Sequence, residues 1–317
     1  MSTQTLRPDS SAPAPAAGRR RITWRTLLAA KGAAFTLPFV IGFIILFILP
    51  IIYAVAQSLY TVKSSGLGLS GNQTVFVGMD NFVAAATDPR FWESMGRVAV
   101  FACIQVPIKL AISLLLALGL DYLKGRVVAG FRIGLLVPYM IPGIVGTLVW
   151  IYLYSPNIGP LTEIGKFFSL DWNFLSEAMM WPSIGNLLTW DSIGFNMLII
   201  YASLQAISPE LFEAARIDGA GEGRIAFSIK VPFVRSALVL TGMLSIIGLL
   251  QIFAEPLLFR SFVPEVVTKD YTPTLMIFNQ AFDANNYNYA AALSLVFASV
   301  IALVSFFYYK FTNKPEA

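Results

Sequence analysis

Six apolar stretches, each about the 20 residues a helix needs to cross a bilayer, dominate this chain. They lie near Ala33–Leu59, Gly96–Leu120, Ile133–Tyr154, Ile184–Ala206, Phe233–Phe253 and Tyr289–Tyr309. Backbone in hydrocarbon has no water to bond, so it must close its own hydrogen bonds. Runs of this length therefore predict an all-α membrane protein with six transmembrane helices. Composition agrees, since 56% of the 317 residues are hydrophobic and only 13% charged, unlike a soluble domain. Pro38 and Pro50 in the first run, and Pro138, Pro142, Gly143 and Gly146 in the third, predict kinked helices packed on neighbours.

Lys and Arg concentrate on one side of these runs. Arg19, Arg20, Arg21, Arg25 and Lys31 precede the first; Lys124, Arg126 and Arg132 separate the second from the third; Arg216, Arg224, Lys230 and Arg235 separate the fourth from the fifth; Lys310 and Lys314 close the chain. That asymmetry predicts both termini in the cytoplasm. Residues 1–32, rich in Ser, Ala and Pro before a basic cluster, read as a disordered basic cytoplasmic tail. Residues 33–310 form the six-span domain, with a cytoplasmic loop at 207–232, and residues 311–317 a second cytoplasmic tail. The net charge of +4 is a topology signal; no basic residues interleave with aromatics as a nucleic-acid groove would require. With no histidine and a single cysteine, Cys103, no intrachain disulfide is possible, no metal site is expected, and acid-base catalysis lacks its usual residue.

The external segments look folded. In "VGMDNFVAAATDPRFW", Asp80 or Asn81 is a candidate helix cap and Trp92 fits interfacial depth. "GPLTEIGKF" superficially suggests a phosphate-binding loop. Five residues separate Gly159 from Gly165, however, Phe167 replaces the metal-binding hydroxyl, and the segment lies on the external side.

The loop "SPELFEAARIDGAGEGRIAFSIKVP" is the most polar part of the central chain. Ser208 and Pro209 predict a helix start, with the serine oxygen capping free amides and Glu210 at the positive end of the dipole. The helix should run "PELFEAARI" and break at "DGAG", where Gly219 and Gly221 are expected to take positive φ. A second short helix, "EGRIAFSIK", leads to Pro232, where the fifth span is expected to begin. Leu211, Ala214, Ala215 and Asp218, spaced by three and four, share a face low enough for close approach of another backbone. Such a face serves either helix-in-groove recognition or an amphipathic connector resting on the protein's own underside.

Glu213, Ala214, Ala215, Asp218, Gly219, Ala220 and the "IKVP" ending at Pro232 resemble the EAA motif of permease subunits in binding-protein-dependent ABC importers. "VGMDNF", "VPIKLAISLLLALGL" and "LLVPYMIPGIVGTLVWIYLYSPNIGPL" are similar to the carbohydrate-uptake, maltose-permease-like branch, and the similarity runs from about Ala33 to the end. Two features depart from that branch: no glycine run follows the fifth span, and no large aromatic follows "DGA". The resemblance implies a six-span permease in a bacterial or archaeal cytoplasmic membrane. It also implies a second permease, two ATPase subunits or domains carrying ATP and Mg, and an external solute-binding protein, with no cofactor in this chain. Leu211, Glu213, Ala214, Ala215, Asp218, Gly219 and Gly221 would then couple to the ATPase: Glu213 pairing with a basic group, the alanines permitting close packing, Gly219 making the turn with Gly221 assisting.

Polar groups in apolar spans are costly against lipid and mark an interior or a partner. Ser192 and Asn196 in the fourth span, Ser245 and Gln251 in the fifth, and Asn288 near the sixth are candidate pathway residues, and each could equally join helices by hydrogen bonds. Lys109 lies roughly 16 Å from either end of the second span at 1.5 Å per residue, too far for its stem to reach the surface comfortably. It is expected to meet water, a carboxylate or a backbone carbonyl inside the assembly. A sugar or oligosaccharide is the solute the resemblance favours. A polyol phosphate such as glycerol phosphate is the rival that Lys109 keeps open, and an ion-coupled carrier or a membrane-embedded enzyme leaves the loop motif unexplained.

Overall fold

A computed structural model of the chain describes residues 24–64, 72–123, 125–170 and 172–312. Expectations for residues 1–23 and 313–317, and for Lys124, lie outside them. Contacts divide the chain into two units, residues 1–53 and 54–317.

The first unit contains α1 (Trp24–Phe43), a π-helical turn (Ile44–Ile48) and the beginning of α2 (Leu49–Ser58). Phe39, Phe43 and Phe47 stack along it, with ring centroids 6.3 and 5.4 Å apart. Helix runs from Trp24, so residues 24–32 depart from the tail expected there. Leu27, Leu28, Ala29 and Ala30 are strong helix formers that extend the span outward.

The second unit opens with an antiparallel hairpin, β1 (Tyr60–Ser64) and β2 (Asn72–Phe76), paired from Tyr60 opposite Phe76 to Ser64 opposite Asn72. In α3 (Asp80–Thr87), neither expected residue caps the helix: Asp80 is its first residue, and Met79 holds the cap position without a side-chain bond. Asn81 instead donates to the carbonyls of Ser58 (2.8 Å) and Tyr60 (2.7 Å), tying α3 to the base of the hairpin.

Next come α4 (Pro89–Tyr122), α5 (Arg126–Leu136), a 3-10 turn (Pro138–Met140), α6 (Gly143–Tyr154), α7 (Pro160–Phe167) and α8 (Glu177–Leu204). The polar loop carries α9 (Pro209–Ile217), α10 (Glu222–Ile225), a π-helical turn (Ala226–Lys230) and α11 (Val231–Phe233). After α12 (Arg235–Leu250) come α13 (Ala254–Phe262), α14 (Pro273–Phe278), a π-helical turn (Asn279–Asp283) and α15 (Tyr287–Thr312). The protein is mainly helical. Among the described residues, four helices are long and apolar enough to cross a membrane: Lys31–Ser58, α4, α8 and α15. A fifth crossing results if Glu222–Phe233 and Arg235–Leu250, bent by 61°, act as one.

The third apolar run corrects the expectation of a continuous helix. It divides into α5 and α6, of 11 and 12 residues, around the 3-10 turn. Pro138 and Pro142 each lack an amide donor, and Ile141, before Pro142, is extended while Val137, before Pro138, stays helical, so the helix breaks between the two prolines. The fifth run likewise starts at Arg235 rather than at Pro232, because Val234 interrupts the helix.

Helices α4 and α8 form the most extensive pair, α12 lies against both, and α15 packs on α12 and α3. One buried cluster includes Phe91, Phe101, Met180, Ile184, Phe259 and Leu293. A second, around Ala117, Leu120, Met197, Ile200, Leu204 and Val234, joins the far ends of α4 and α8 to the start of α12. Between them, α8 passes so close to the end of α5 that a Cβ on Gly194 would stand 1.8 Å from the Leu135 carbonyl oxygen. Only glycine permits that approach, and Gly194→Ala is expected to cost roughly 1–3 kcal/mol by forcing the helices apart. A lower melting temperature in detergent checks it.

At the other end of α4, Asp88 caps the helix by accepting from the Arg90 amide at 3.0 Å, with Pro89 in the first turn. The Arg90 guanidinium donates to both Asp88 carboxylate oxygens at 3.2 and 2.8 Å, and the Tyr289 hydroxyl donates at 2.9 Å, clipping α15 to α4. These partners, Arg90 foremost, hold the Asp88 carboxyl below its ordinary value of 3.8, against the opposing effect of burial. A depressed carboxylate pKa contributes stability above the ordinary value and loses it as pH falls through the native one. Melting temperature should therefore drop with acidification below 3.8. Asp88→Ala should lose about 1 kcal/mol at neutral pH and flatten that acid step, which thermal scans across pH would detect.

Candidate solute cavity and coupling helix

On α8, Leu188, Asp191, Ser192, Phe195 and Asn196 recur at spacings of three and four, and so share one face. That face borders a cavity of about 600 Å³ closed by Lys109 of α4, Tyr139 of the 3-10 turn, Ser245 of α12, Gln251 beyond it and Glu255 of α13. The break in the third run brings Tyr139 here. Its ring stacks on Phe195 at a centroid distance of 4.7 Å and 12° between planes.

Five of the six residues expected to line a pathway, Lys109, Ser192, Asn196, Ser245 and Gln251, meet at this cavity. Asn288 does not. Its amide donates to the Gln57 carbonyl (2.8 Å) and side-chain oxygen (3.2 Å), joining the start of α15 to the end of α2. Ser192 donates to the Leu188 carbonyl of its own helix at 2.6 Å. Asn196 is 4% exposed, and its amide nitrogen has no hydrogen-bond partner among the described residues.

Asp191 and Glu255 are cavity residues that the sequence reading missed. The rule that singled out Lys109 applies equally to Asp191, the only acid in "LLTWDSIGFNMLII". Glu255 gave a weaker signal, because it follows the apolar run. Electrostatically, Asp191 attracts Lys109 and repels Glu255. No ion pair within 4 Å joins Lys109 to either acid among the described residues.

At the C-terminal end of α8 lies the polar loop. Helix α9 has the expected bounds, with Pro209 in its first turn, but the Ser208 hydroxyl makes no capping bond. Gly219 takes φ +81°, as expected of the turn. The Ala220 amide donates to the Ala215 carbonyl (2.9 Å) and the Gly219 amide to Arg216 (3.0 Å), the paired bonds of a Schellman stop. Gly221 departs from expectation, with an extended φ of −72°, because it begins α10 rather than ending α9. Arg216 and Glu222 pair across the turn at 2.9 Å.

The α9 surface is divided. Phe212 packs against the second buried cluster and Ala215 is half-buried, so this side rests on the protein's own body. Leu211, Glu213, Ala214 and Asp218 are exposed, as is Gly219. Ile217 is 87% exposed and Phe227 71% exposed, apolar groups beside that open face which the sequence reading did not single out. At the root of the loop, Lys230 pairs with Asp121 at 2.6 Å and lies 5.1 Å from the Phe212 ring centre, and Gln205 donates to Asp121 at 2.7 Å. One carboxylate at the end of α4 thus gathers the end of α8 and both helices of the loop.

Residues 109–314 match the family of binding-protein-dependent transport system inner membrane components. The chain belongs to this family. Membership makes it the membrane-embedded permease component of such a transport system. Relatives of this permease include the diacetylchitobiose uptake system permease protein NgcF of Streptomyces coelicolor, 28% identical, with 96% of this chain and 89% of the relative covered. The lactose transport system permease protein LacF of Rhizobium radiobacter is 29% identical, covering 87% and 92%. The sn-glycerol-3-phosphate transport system permease protein UgpA of Agrobacterium fabrum is 28% identical, covering 86% and 92%. The fold resembles a chain of a bacterial alginate ABC transporter crystallised with its alginate-bound periplasmic protein, with a TM-score of 0.77, 17% identity and coverage of 92% and 97%.

Replacing Gly219 of the permease by Val puts a β-branched residue at φ +81°, though nothing lies within 4 Å of the new side chain. The strain of roughly 1–3 kcal/mol falls on the turn alone. Gly219→Val should insert normally and lose solute uptake; uptake at the wild-type rate would show that the turn does not matter.

Proposed function

We propose that this permease forms half of the solute pathway of an ATP-driven importer for a sugar or oligosaccharide. The observation that carries the reading is α8 itself, which lines a polar cavity in its middle and at its C-terminal end delivers an exposed small-residue helix face. In this reading the broken third run and the bent fifth each make one crossing, so the chain has six spans and both termini on one side. The Lys and Arg distribution assigns that side to the cytoplasm. The open face of α9, with Leu211, Glu213, Ala214 and Asp218, then seats in a groove of a separate ATPase that binds ATP and Mg, while this chain hydrolyses nothing. A second permease of the same family completes the pathway, and an extracytoplasmic binding protein delivers the solute across a bacterial or archaeal inner membrane.

Carbohydrate is favoured by hydrogen-bonding groups beside the Tyr139 and Phe195 rings, and by relatives named for diacetylchitobiose and lactose. A polyol phosphate is the second reading, supported by Lys109 and by relatives named for glycerol phosphate transport. Purification in mild detergent should bring down an ATPase and a second permease with the wild-type chain. Glu213→Lys should reduce ATPase recovery severalfold while leaving the second permease bound. Equal recovery of the ATPase from both would remove Glu213 from the interface, and isolation of the chain alone would overturn the importer reading.

A further inference from the structure

The cavity has a charge imbalance. Three elements each contribute one charged group: Lys109 from α4, Asp191 from α8 and Glu255 from α13. Lys109 is the single cation against two carboxylates. It is buried, at 6% exposure, and feels the attraction of Asp191, although no ion pair within 4 Å joins the two among the described residues. Glu255 feels Asp191 as a like charge. A low-dielectric wall strengthens such fields over what water would allow.

The remaining lining is suited to hydroxyl groups. Asn196 borders the cavity, and its buried amide nitrogen has no hydrogen-bond partner among the described residues. Carboxylates accept from hydroxyl or ammonium groups and cannot donate to a phosphate oxygen. An anionic solute entering here would meet one ammonium and two carboxylates. An uncharged polyol would meet acceptors, donors and the stacked Tyr139 and Phe195 rings.

We infer that Asp191 and Glu255 are specificity-determining residues that make the cavity exclude anions, so that the solute is an uncharged or amino-bearing carbohydrate and Lys109 is a counter-charge rather than a phosphate anchor. The inference rests on the importer reading above and decides between its two solute classes.

The test uses the intact permease and ATPase complex in nanodiscs without binding protein, so that the permease alone does the selecting. Equilibrium dialysis would measure binding of radiolabelled lactose, glucosamine and glycerol 3-phosphate to wild type, Glu255→Gln, Asp191→Asn and the double variant. Lactose or glucosamine should bind wild type at least about tenfold more tightly than glycerol 3-phosphate, and the double variant should erase most of that ratio. Glu255→Gln leaves Lys109 and Asp191 intact, so it should fold even if the loss of Asp191 strands the buried lysine. By itself it should raise relative glycerol 3-phosphate binding severalfold. Preference for glycerol 3-phosphate in the wild type, or discrimination unchanged in Glu255→Gln and in every folded variant, would overturn the inference while the importer stands. Binding of none of these solutes to any form would overturn the cavity as a solute site. ATP-dependent uptake by the same complex, with its binding protein restored, would then show whether the importer reading survives.

Discussion

Backbone-to-backbone contact between Gly194 of α8 and Leu135 at the end of α5 is the constraint on which the centre of this permease depends. Helix packing in lipid gains little from a hydrophobic effect between helices, so close approach through small residues carries much of the association. Here the approach occurs where the third apolar run is broken by prolines. Non-helical backbone at membrane depth is tolerated only where protein buries it or it lines a cavity, and the 3-10 turn meets that condition by lying against α8. The break, the close contact and the cavity are thus one arrangement.

Helix α8 connects the parts that matter. Its 28 residues span roughly 42 Å at 1.5 Å per residue, enough to reach from the core around Met180 to the loop root at Gln205. Asp191, Ser192 and Asn196 occupy its middle, while Met197, Ile200 and Leu204 bind it to α4 below the cavity. Asp121 holds Gln205 and Lys230 together, so the root of the loop is tied to α4 and α8 jointly. The half-buried ion pair there is shielded from solvent on both sides, at 11% and 13% side-chain exposure, so salt screens it less than it would a surface pair.

Charges in the cavity follow the same economy of pairing. A lysine in the middle of an apolar span is expensive alone, and an aspartate opposite it lowers that cost. The second carboxylate, Glu255, has no cation of its own at the cavity and leaves its character acidic. Two related permeases with opposite solute chemistry in their names, lactose and glycerol phosphate, are about equally similar in sequence to this one, so global identity does not distinguish solute class.

Hydrophobic run length, proline placement and the glycine after "EAARID" were sufficient to place the apolar runs, the helix of the polar loop and its left-handed turn at Gly219. Those features are set by local physics: bilayer thickness, missing amide donors and the steric cost of positive φ. Residue cost in lipid also identified five cavity residues, and applied without exception it would have found Asp191. The sequence did not indicate that Asn288 would bond Gln57 or that the Tyr139 ring would stack on Phe195. Each depends on which backbone or side chain arrives from a distant part of the chain. Residue types determined a lipid-embedded bundle with a polar loop and buried charges. Which buried charges share a cavity, and therefore what sign of solute it accepts, was decided only when α4, α8 and α13 packed together, because Coulomb interactions depend on distance in space and not on separation along the chain.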